Sequence, residues 1–373
     1  MHKAFLQSFR SKIPRNLLPI RSCILKRLRQ ITTTNLNGAH HPFLGGIRVL
    51  VVDLQTTNPY VNLATEEYLL YHRKEDFFML WQNEPCIVVG RNQNTLAEIN
   101  HDYVTEQAIP VVRRLTGGGA VFHDLGNLNY TFIEADAKDK FGNYAVFATP
   151  VLQVLQDLGV PATVSGRNDL LVDGKKICGN AQTMFHGRMM HHGCILFSGN
   201  IDHLTAALKV NPLKIQSKGI QSVRSRVTNI AEHLPRPLQV EEFRRLLLER
   251  MLSQEGNALY ELTPEDREAI DKLYQEKYST YEWNFGFKKD YSFHKDTLFS
   301  AGLVTVSMNI QEDQIAALSV KGDFFGMADV AEFESAMIGT AYEPTAVLHR
   351  LQTLDFSSYF AGISPEEFCK ALF

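Results

Sequence analysis

Two adjacent lysines, Lys175 and Lys176, stand in the segment GRNDLLVDGKKICGNAQ, among residues of the kind that handle phosphates and activated carbonyls. They open an apolar stretch, so alternation along a strand sends them to opposite faces, one toward a site and one toward solvent. A lysine that stays protonated is a poor nucleophile but a good clamp for a phosphate or a polarised carbonyl oxygen. The polar run Arg167-Asn168-Asp169 precedes the neighbouring strand, and Gly179-Asn180-Ala181 follows the lysines. Isolated lysines are solvated far more often than catalytic, so this pair needs support from elsewhere in the chain.

Support comes from VVRRLTGGGAVFHD, where Arg113 and Arg114 precede Gly117-Gly118-Gly119. Glycines inside sheet-like sequence are costly in backbone entropy and contribute no packing. Close approach of an anionic or extended ligand to bare backbone N–H groups, with guanidinium charge alongside, is chemistry that requires them. A bulge or tight hairpin is the plainer alternative. Neither GxxxxGK[ST] nor GxGxxG occurs, so a nucleotide site here is of another kind. A third stretch, KGIQSVRSRVTNI, carries Lys218, Arg224 and Arg226 on a loop able to close on phosphates, or merely a solvated basic connection. His191 and His192 are adjacent on a strand, face opposite ways and cannot chelate one ion together.

Composition narrows the classes. The 373 residues are 45% hydrophobic and 21% charged, with a net charge of −3, which leaves no general basic field for nucleic acid. No apolar run approaches the roughly 18 residues of a membrane-spanning helix. The 5 cysteines lack CxxC spacing, which argues against a disulfide framework or a zinc knuckle and for a reducing compartment. Residues 1–52 contain no acid and many bases, a composition similar to a mitochondrial presequence, a disordered basic tail, or residues read from an upstream start codon.

The elements that must position these residues alternate. VNLATEEYLLYHR reads as a helix with acids early and bases late. FFMLWQN and CIVVGR read as a strand pair turning at Glu84-Pro85, TLAEINHDYVTEQAI as a helix, and GAVFHD and NLNYTFIEA as strands around Leu125-Gly126. A helix is expected from about Ala148 to Leu158, then a hairpin turning at Asp173-Gly174. Residues 239–279 are helical by spacing, Tyr278 to Phe287 reads as a linker, and Tyr291 to Phe373 holds two strands and two or three helices. The fold class is α/β of the α+β type, rich in hairpins rather than doubly wound.

These segments together resemble the lipoate–protein ligase family. The matching pieces are NLATEEYLL, VVGRNQN, RRLTGGGAVFHDLGNLNYTF, GRNDL, DGKKICGNA, HHGCILF, KGIQSVRSRVTNI and GDFFG, in order from about residue 48 to the carboxyl end. The resemblance implies a large mixed-sheet catalytic domain of the biotin/lipoate ligase type at 47–285, a small C-terminal α/β accessory domain at 286–373, and a basic extension at 1–46. It implies that free lipoate and ATP with magnesium give lipoyl-AMP and pyrophosphate, and that a lysine of an acceptor domain then takes the lipoyl group. Lys176 would be the catalytic lysine. Arg114, Gly117, Gly118, Gly119, Ala120, Asn168, Gly179, Asn180, Ala181, His191 and Gly193 would bind lipoate or its adenylate. Asp169, Lys218, Arg224 and Arg226 would belong to the adenylate loop region, with Asp169 also toward magnesium.

The partners so implied are lipoate, apo lipoyl domains of 2-oxoacid dehydrogenases and the glycine-cleavage H protein. No tightly bound prosthetic group, nucleic acid or membrane is expected, and the enzyme is expected to be a monomer in a bacterial cytoplasm, or mitochondrial if residues 1–46 are a presequence. Cys178 and Cys194 depart from the serine and threonine found in the family and open a rival reading, a lipoyl or octanoyl transferase without its own adenylation step. Biotin–protein ligase is the related alternative, but a GRGRxGR-like loop is absent.

Overall fold

The structure, a computed structural model, describes residues 49–165, 168–209, 226–286 and 290–373. In chain order, β1 (Val49–Asp53), helix α1 (Pro59–His72), β2 (Asp76–Trp81) and β3 (Cys86–Val89) lead to short helices α2 (Thr95–Glu98) and α3 (His101–Glu106). Then follow β4 (Val111–Arg113), β5 (Val121–His123), β6 (Asn127–Glu134), α4 (Tyr144–Asp157), β7 (Thr163–Val164), β8 (Asp169–Val172), β9 (Lys175–Phe185), β10 (Arg188–Leu196) and α5 (Ile201–Ala207). After α6 (Val240–Leu252), β11 (Ala258–Leu259), α7 (Pro264–Leu273) and α8 (Tyr281–Phe285), the chain forms β12 (Phe293–Phe299), β13 (Gly302–Gln311) and β14 (Gln314–Gly322). It ends with α9 (Val330–Met337), α10 (Pro344–Thr353), α11 (Phe356–Tyr359) and α12 (Pro365–Ala371).

An 8-stranded mixed sheet, in the order β11-β1-β2-β6-β10-β9-β8-β7, carries one face of the site, and a 3-stranded sheet, β4-β3-β5, carries the other. The expected strand pairs on either side of Glu84-Pro85 and Leu125-Gly126 are therefore not hairpins. β2 and β3 lie in different sheets, as do β6 and β5. Every residue of β2 and of β6 is buried, because both faces of these central strands are covered. On one face Phe77, Met79, Trp81, Ile133 and Met190 pack with α1 and with Val88 and Val112 of the small sheet. On the other, Phe132 meets Phe147 of α4, and Phe197 meets Phe243 of α6. β2 is accordingly a nearly continuous apolar run, whereas β6 alternates Asn127, Asn129 and Thr131 with Leu128, Tyr130 and Phe132 although both faces are buried, so neither pattern reports the strand's partner.

The hairpin at Asp173-Gly174 is as expected, with φ of 50° and 75° at its two residues, the left-handed pair that a two-residue turn requires. The expected helix over TLAEINHDYVTEQAI is instead two, broken at Ile99-Asn100, where the Asn100 side chain caps α3. The stretch from Tyr278 is not a free linker. Tyr278 and Asn284 are buried, and the Asn284 Oδ1 accepts the Arg113 backbone N–H at 2.8 Å. The C-terminal part has a third strand, β12, whose sequence FHKDTLF mixes charge into its pattern. Its antiparallel sheet packs on a core that includes Phe333, Phe360 and Phe368.

Candidate active site

Strand register fixes which residues of the large sheet share the face toward the small sheet. Across the large sheet, Trp81 lies opposite Asn129, Asn129 opposite Cys194, Cys194 opposite Gly179, and Gly179 opposite Asp169. The next row runs Met79, Thr131, His192 and Ala181. The His192 ring reaches the glycine-bearing segment by a 2.8 Å contact between Nε2 and Thr116 Oγ1, so this face of the large sheet looks onto the glycine tract.

Lys176 joins this face through an irregularity. Asp169 pairs with Gly179 and Leu170 with Cys178, but Leu171 pairs with Lys176, leaving Ile177 as an extra residue. Strict alternation would have sent Lys176 to the side of Cys178 and Asn180. The bulge returns it to the side of Gly179 and Asp169. Its Nζ stands 2.8 Å from Asp169 Oδ1, and a Cβ built on Gly179 would meet Nζ at 2.6 Å. Lys175 is exposed, as expected of the other lysine. The Thr228 N–H donates to the Lys176 carbonyl at 3.0 Å, so the chain that follows Arg226 is tied to the lysine's own strand. Arg226 is exposed, whereas Arg167, Lys218 and Arg224 lie outside the described residues.

The glycine tract has three different reasons for its three glycines. A Cβ on Gly117 would lie 2.5 Å from the Phe324 carbonyl oxygen of the C-terminal part, and one on Gly118, where φ is +88°, would lie 3.0 Å from the Phe325 ring. Among the described residues, a Cβ on Gly119 would meet nothing within 4 Å. Gly117 and Gly118 thus accommodate the GDFFG segment, nothing among the described residues fills the space beside Gly119, and the half-buried Ala120 packs toward the cluster around Ile87 and Phe122. Two further ties hold that segment and its neighbour α9 in place. The Gly322 N–H donates to the Asn92 carbonyl at 2.8 Å, and Arg91 pairs with Asp329 at 2.6 Å.

Arg114 is buried beneath the tract. Its Nε donates to Thr116 Oγ1 at 2.9 Å, one terminal nitrogen to the Val88 carbonyl at 3.1 Å, and the other to the carbonyls of Gly117 and Gly119 at 2.7 and 2.9 Å. Burial lowers its pKa to about 10, which leaves it charged at neutral pH. It shapes the tract as an internal clamp. Arg113 does the same for the loop at residues 90–95, donating to the carbonyls of Gly90, Arg91 and Gln93.

Four residues expected at the ligand, Asn168, Asn180, His191 and Gly193, have side chains on the opposite face of the large sheet, or leave space that serves that face. Tyr130 O–H donates to Asn180 Oδ1 at 2.5 Å, and Asn180 Nδ2 donates to the Asn168 carbonyl at 2.9 Å. Asn168 Nδ2 returns a bond to the Asn180 carbonyl at 2.8 Å, a reciprocal clasp that holds the residue before Asp169. A Cβ on Gly193 would run into Asn180 and the Tyr130 ring, which is why that position has no side chain. His191 stacks on Phe147 at 4.9 Å, and burial drives its pKa well below the usual histidine range.

Sequence reasoning did not single out Glu66, Thr116, Trp81, His123 or Asn129. Glu66 Oε1 is 2.9 Å from His192 Nδ1 and accepts from Thr131 Oγ1 at 2.6 Å, while Trp81 Nε1 donates to Thr131 Oγ1 at 2.9 Å. The signal for Glu66 was present in NLATEEYLL, two acids among apolar helix positions, yet only the fold shows both buried. The thiols are unsuited to nucleophilic attack. Burial pushes Cys194 up to about 12 and Cys178 well above its ordinary value.

Comparison with known proteins agrees with this architecture. A profile of the lipoyl protein ligase A/B catalytic domain matches residues 58–252, and one of the bacterial lipoate protein ligase C-terminus matches residues 288–372. A lipoate–protein ligase of Bacillus subtilis is 42% identical over 331 residues, which span 87% of this chain and 100% of that protein. Among solved structures, a bipartite lipoate protein ligase of Thermoplasma acidophilum, described with its E2 lipoyl domain, aligns with a TM-score of 0.57 at 28% identity, covering 66% of this chain and 99% of that one. A lipoate–protein ligase A bound with ATP aligns at 0.54 with 26% identity, covering 64% of this chain and 98% of that one. With a catalytic profile over its large-sheet region, a C-terminal profile over its antiparallel module and a relative matched along its whole length, this chain belongs to the lipoate–protein ligase family.

Proposed function

We propose that the chain carries out both half-reactions of an ATP-dependent lipoate–protein ligase. A carboxylate oxygen of free lipoate attacks the α-phosphorus of ATP, the bond to the bridging oxygen of pyrophosphate breaks, and lipoyl-AMP remains bound. The ε-amine of a lysine on an acceptor protein then attacks the lipoyl carbonyl, forming an amide and releasing AMP. The observation that carries this reading is the Lys176 ammonium, set by a bulge onto the face that looks toward the glycine tract and seated over Gly179 beside Asp169. There a fixed positive charge can bridge the lipoyl carbonyl and the α-phosphate and stabilise the negative charge that develops on each.

Gly119 and Ala120 would offer backbone to the ligand, with Arg114 holding the tract beneath and Gly117 and Gly118 keeping the C-terminal segment close. Gly179 and Ala181 would floor the site, and the Asn168, Asn180 and Gly193 cluster, with His191, would support it from behind. ATP would enter as its magnesium complex, with Asp169 offering one carboxylate to the metal and Lys218, Arg224 and Arg226 serving the adenylate. The profile boundaries support a catalytic region at 47–285 and an accessory region at 286–373. Acceptors would be lipoyl domains, as the Thermoplasma relative's E2 partner suggests, together with the H protein, and the enzyme would act as a cytoplasmic monomer.

Lipoate-dependent release of pyrophosphate from ATP, measured without acceptor protein, tests the reading. Release by the wild type and its loss in Lys176→Ala is the expected outcome. A well-folded wild type that releases none, yet transfers lipoate from preformed lipoyl-AMP, would instead mark a transferase.

A further inference from the structure

The strand that carries Lys176 lies near the thin margin of the large sheet. Beyond it come only β8 and β7, and β7 pairs with β8 over two residues. Asp169 holds the Lys176 ammonium, but a lysine side chain has four rotatable bonds, so the ammonium keeps its place only if the backbone beneath it is also fixed. That second hold comes from residues 227–233. Val227 forms a parallel bridge with Lys176, and the N–H of the buried Thr228 donates to the Lys176 carbonyl at 3.0 Å.

The turn that follows is anchored on the end of β10. Asn229 exchanges side-chain bonds with the Gly199 N–H and carbonyl at 2.9 and 3.0 Å, the Ala231 N–H donates to the Phe197 carbonyl at 2.9 Å, and Ile230 is fully buried. His233, half-buried, closes this 3-10 turn, and its ring reaches two ways. Nε2 lies 3.0 Å from Thr228 Oγ1, and Nδ1 lies 3.5 Å from Asp173 Oδ2 at the tip of the hairpin joining β8 to β9.

Hydrogen placement is consistent with both contacts. An ionised carboxylate only accepts, so the ring hydrogen belongs on Nδ1, and in the neutral ring Nε2 then accepts the Thr228 hydroxyl. A ring protonated on both nitrogens donates to Thr228 Oγ1, whose own hydrogen turns to Glu232 Oε2 at 3.2 Å. In either form the imidazole spans from the hairpin tip to the residue that holds the Lys176 backbone.

We propose that His233 is a positioning residue for adenylation: anchored on β10, it ties Asp173 to Thr228 and so fixes the backbone of Lys176 between them. The inference rests on the ligase reading above and adds to it a residue that acts through Lys176 rather than on the substrate. Loss of the ring leaves the other binding groups in place but lets the ammonium wander, which weakens transition-state stabilisation more than substrate binding.

The test compares pyrophosphate release by wild type, His233→Ala, His233→Gln and Asp173→Asn, the last keeping a residue that tolerates the left-handed turn while removing its charge. His233→Ala is expected to lower kcat roughly tenfold with KM for lipoate and for ATP within about twofold of wild type. His233→Gln, which returns a polar group near Nε2, should recover most of the loss, and Asp173→Asn should lose roughly two- to threefold. Hydrogen exchange gives a reading independent of turnover. In His233→Ala the Thr228 amide should exchange roughly fivefold faster or more, against an unchanged Asn180 amide, which bonds the Asn168 carbonyl between β9 and the residue preceding β8. Absence of pyrophosphate release by the wild type would defeat the ligase reading alone, since the same variants are then compared in lipoyl transfer from preformed lipoyl-AMP. Unchanged kcat in His233→Ala, a rise in KM with kcat intact, a Gln variant as slow as the Ala variant, or a Thr228 amide that exchanges no faster would overturn the proposal.

Discussion

The Lys176 ammonium rests on the bare Cα of Gly179, so that a methyl group there would stand 2.6 Å from Nζ. Glycine at this position is a seat for the lysine, and Asp169 at 2.8 Å holds the ammonium to one side. Gly179→Ala should displace Lys176 while leaving the strand pairing intact. A misplacement of about 1 Å can reduce turnover on the order of 100-fold, and the expected result is a loss of that order in kcat with little change in melting temperature. Steady-state adenylation kinetics alongside thermal unfolding check it. Full activity in Gly179→Ala would show that Nζ is free to settle elsewhere.

Gly193 has a different reason for being small. Its missing side chain leaves room for the Tyr130 ring and the Asn180 amide on the helix-covered face. Gly193→Ala should overpack that site and destabilise the fold by about 1–3 kcal/mol. Tyr130→Phe should relieve nothing, because the ring remains, but should release Asn180 from its 2.5 Å bond. Urea unfolding of the two variants separates the steric effect from the polar one.

The C-terminal module meets the glycine tract through Phe324 and Phe325. Since a site must exclude water around a reactive anhydride and then admit a protein lysine, this contact should loosen and re-form during the cycle. Phe325→Ala together with Asp329→Ala removes the ring against Gly118 and the partner of Arg91. The double variant should be cleaved faster by protease near residues 286–292 and should show a larger radius of gyration in small-angle scattering. The wild type should change in scattering when lipoate, magnesium and ATP are added together. An unchanged profile in both experiments would rule the motion out.

Buried neutral histidines set the acid side of the stability curve. His123 is held near 3 by burial, then by Arg114 and His192, and His191 is held well below its ordinary value by burial. In the unfolded chain each titrates near 6.5. The unfolded state therefore binds more protons below that pH, and folding stability falls as pH drops from about 6.5 toward about 4. Below that range Asp266 joins. Burial alone would raise it, but the hydroxyls of Tyr260 and Tyr68 donate to it and hold it at about 2. The double variant His123→Gln, His191→Gln should flatten the upper part of this decline and leave the lower part. Denaturant unfolding between pH 4 and 8 gives the comparison.

What the residue order alone determined was local and chemical. Helix α1, the Asp173-Gly174 hairpin, α9 and the opposite facing of His191 and His192 follow from spacing, and the lysine, RND and glycine segments marked the chemistry. Only the tertiary structure decided which faces meet. The runs around Glu84-Pro85 and Leu125-Gly126 resemble hairpins in sequence, yet each crosses between sheets, because pairing of strands buried on both faces depends on distant partners. The same holds for the site. One extra residue at Ile177 reverses the alternation and brings Lys176 to Gly179 and Asp169, while Asn180 and the His191 ring turn to the helices. A bulge is set by register against β8, a property of two strands together, and no pattern within one strand reports it.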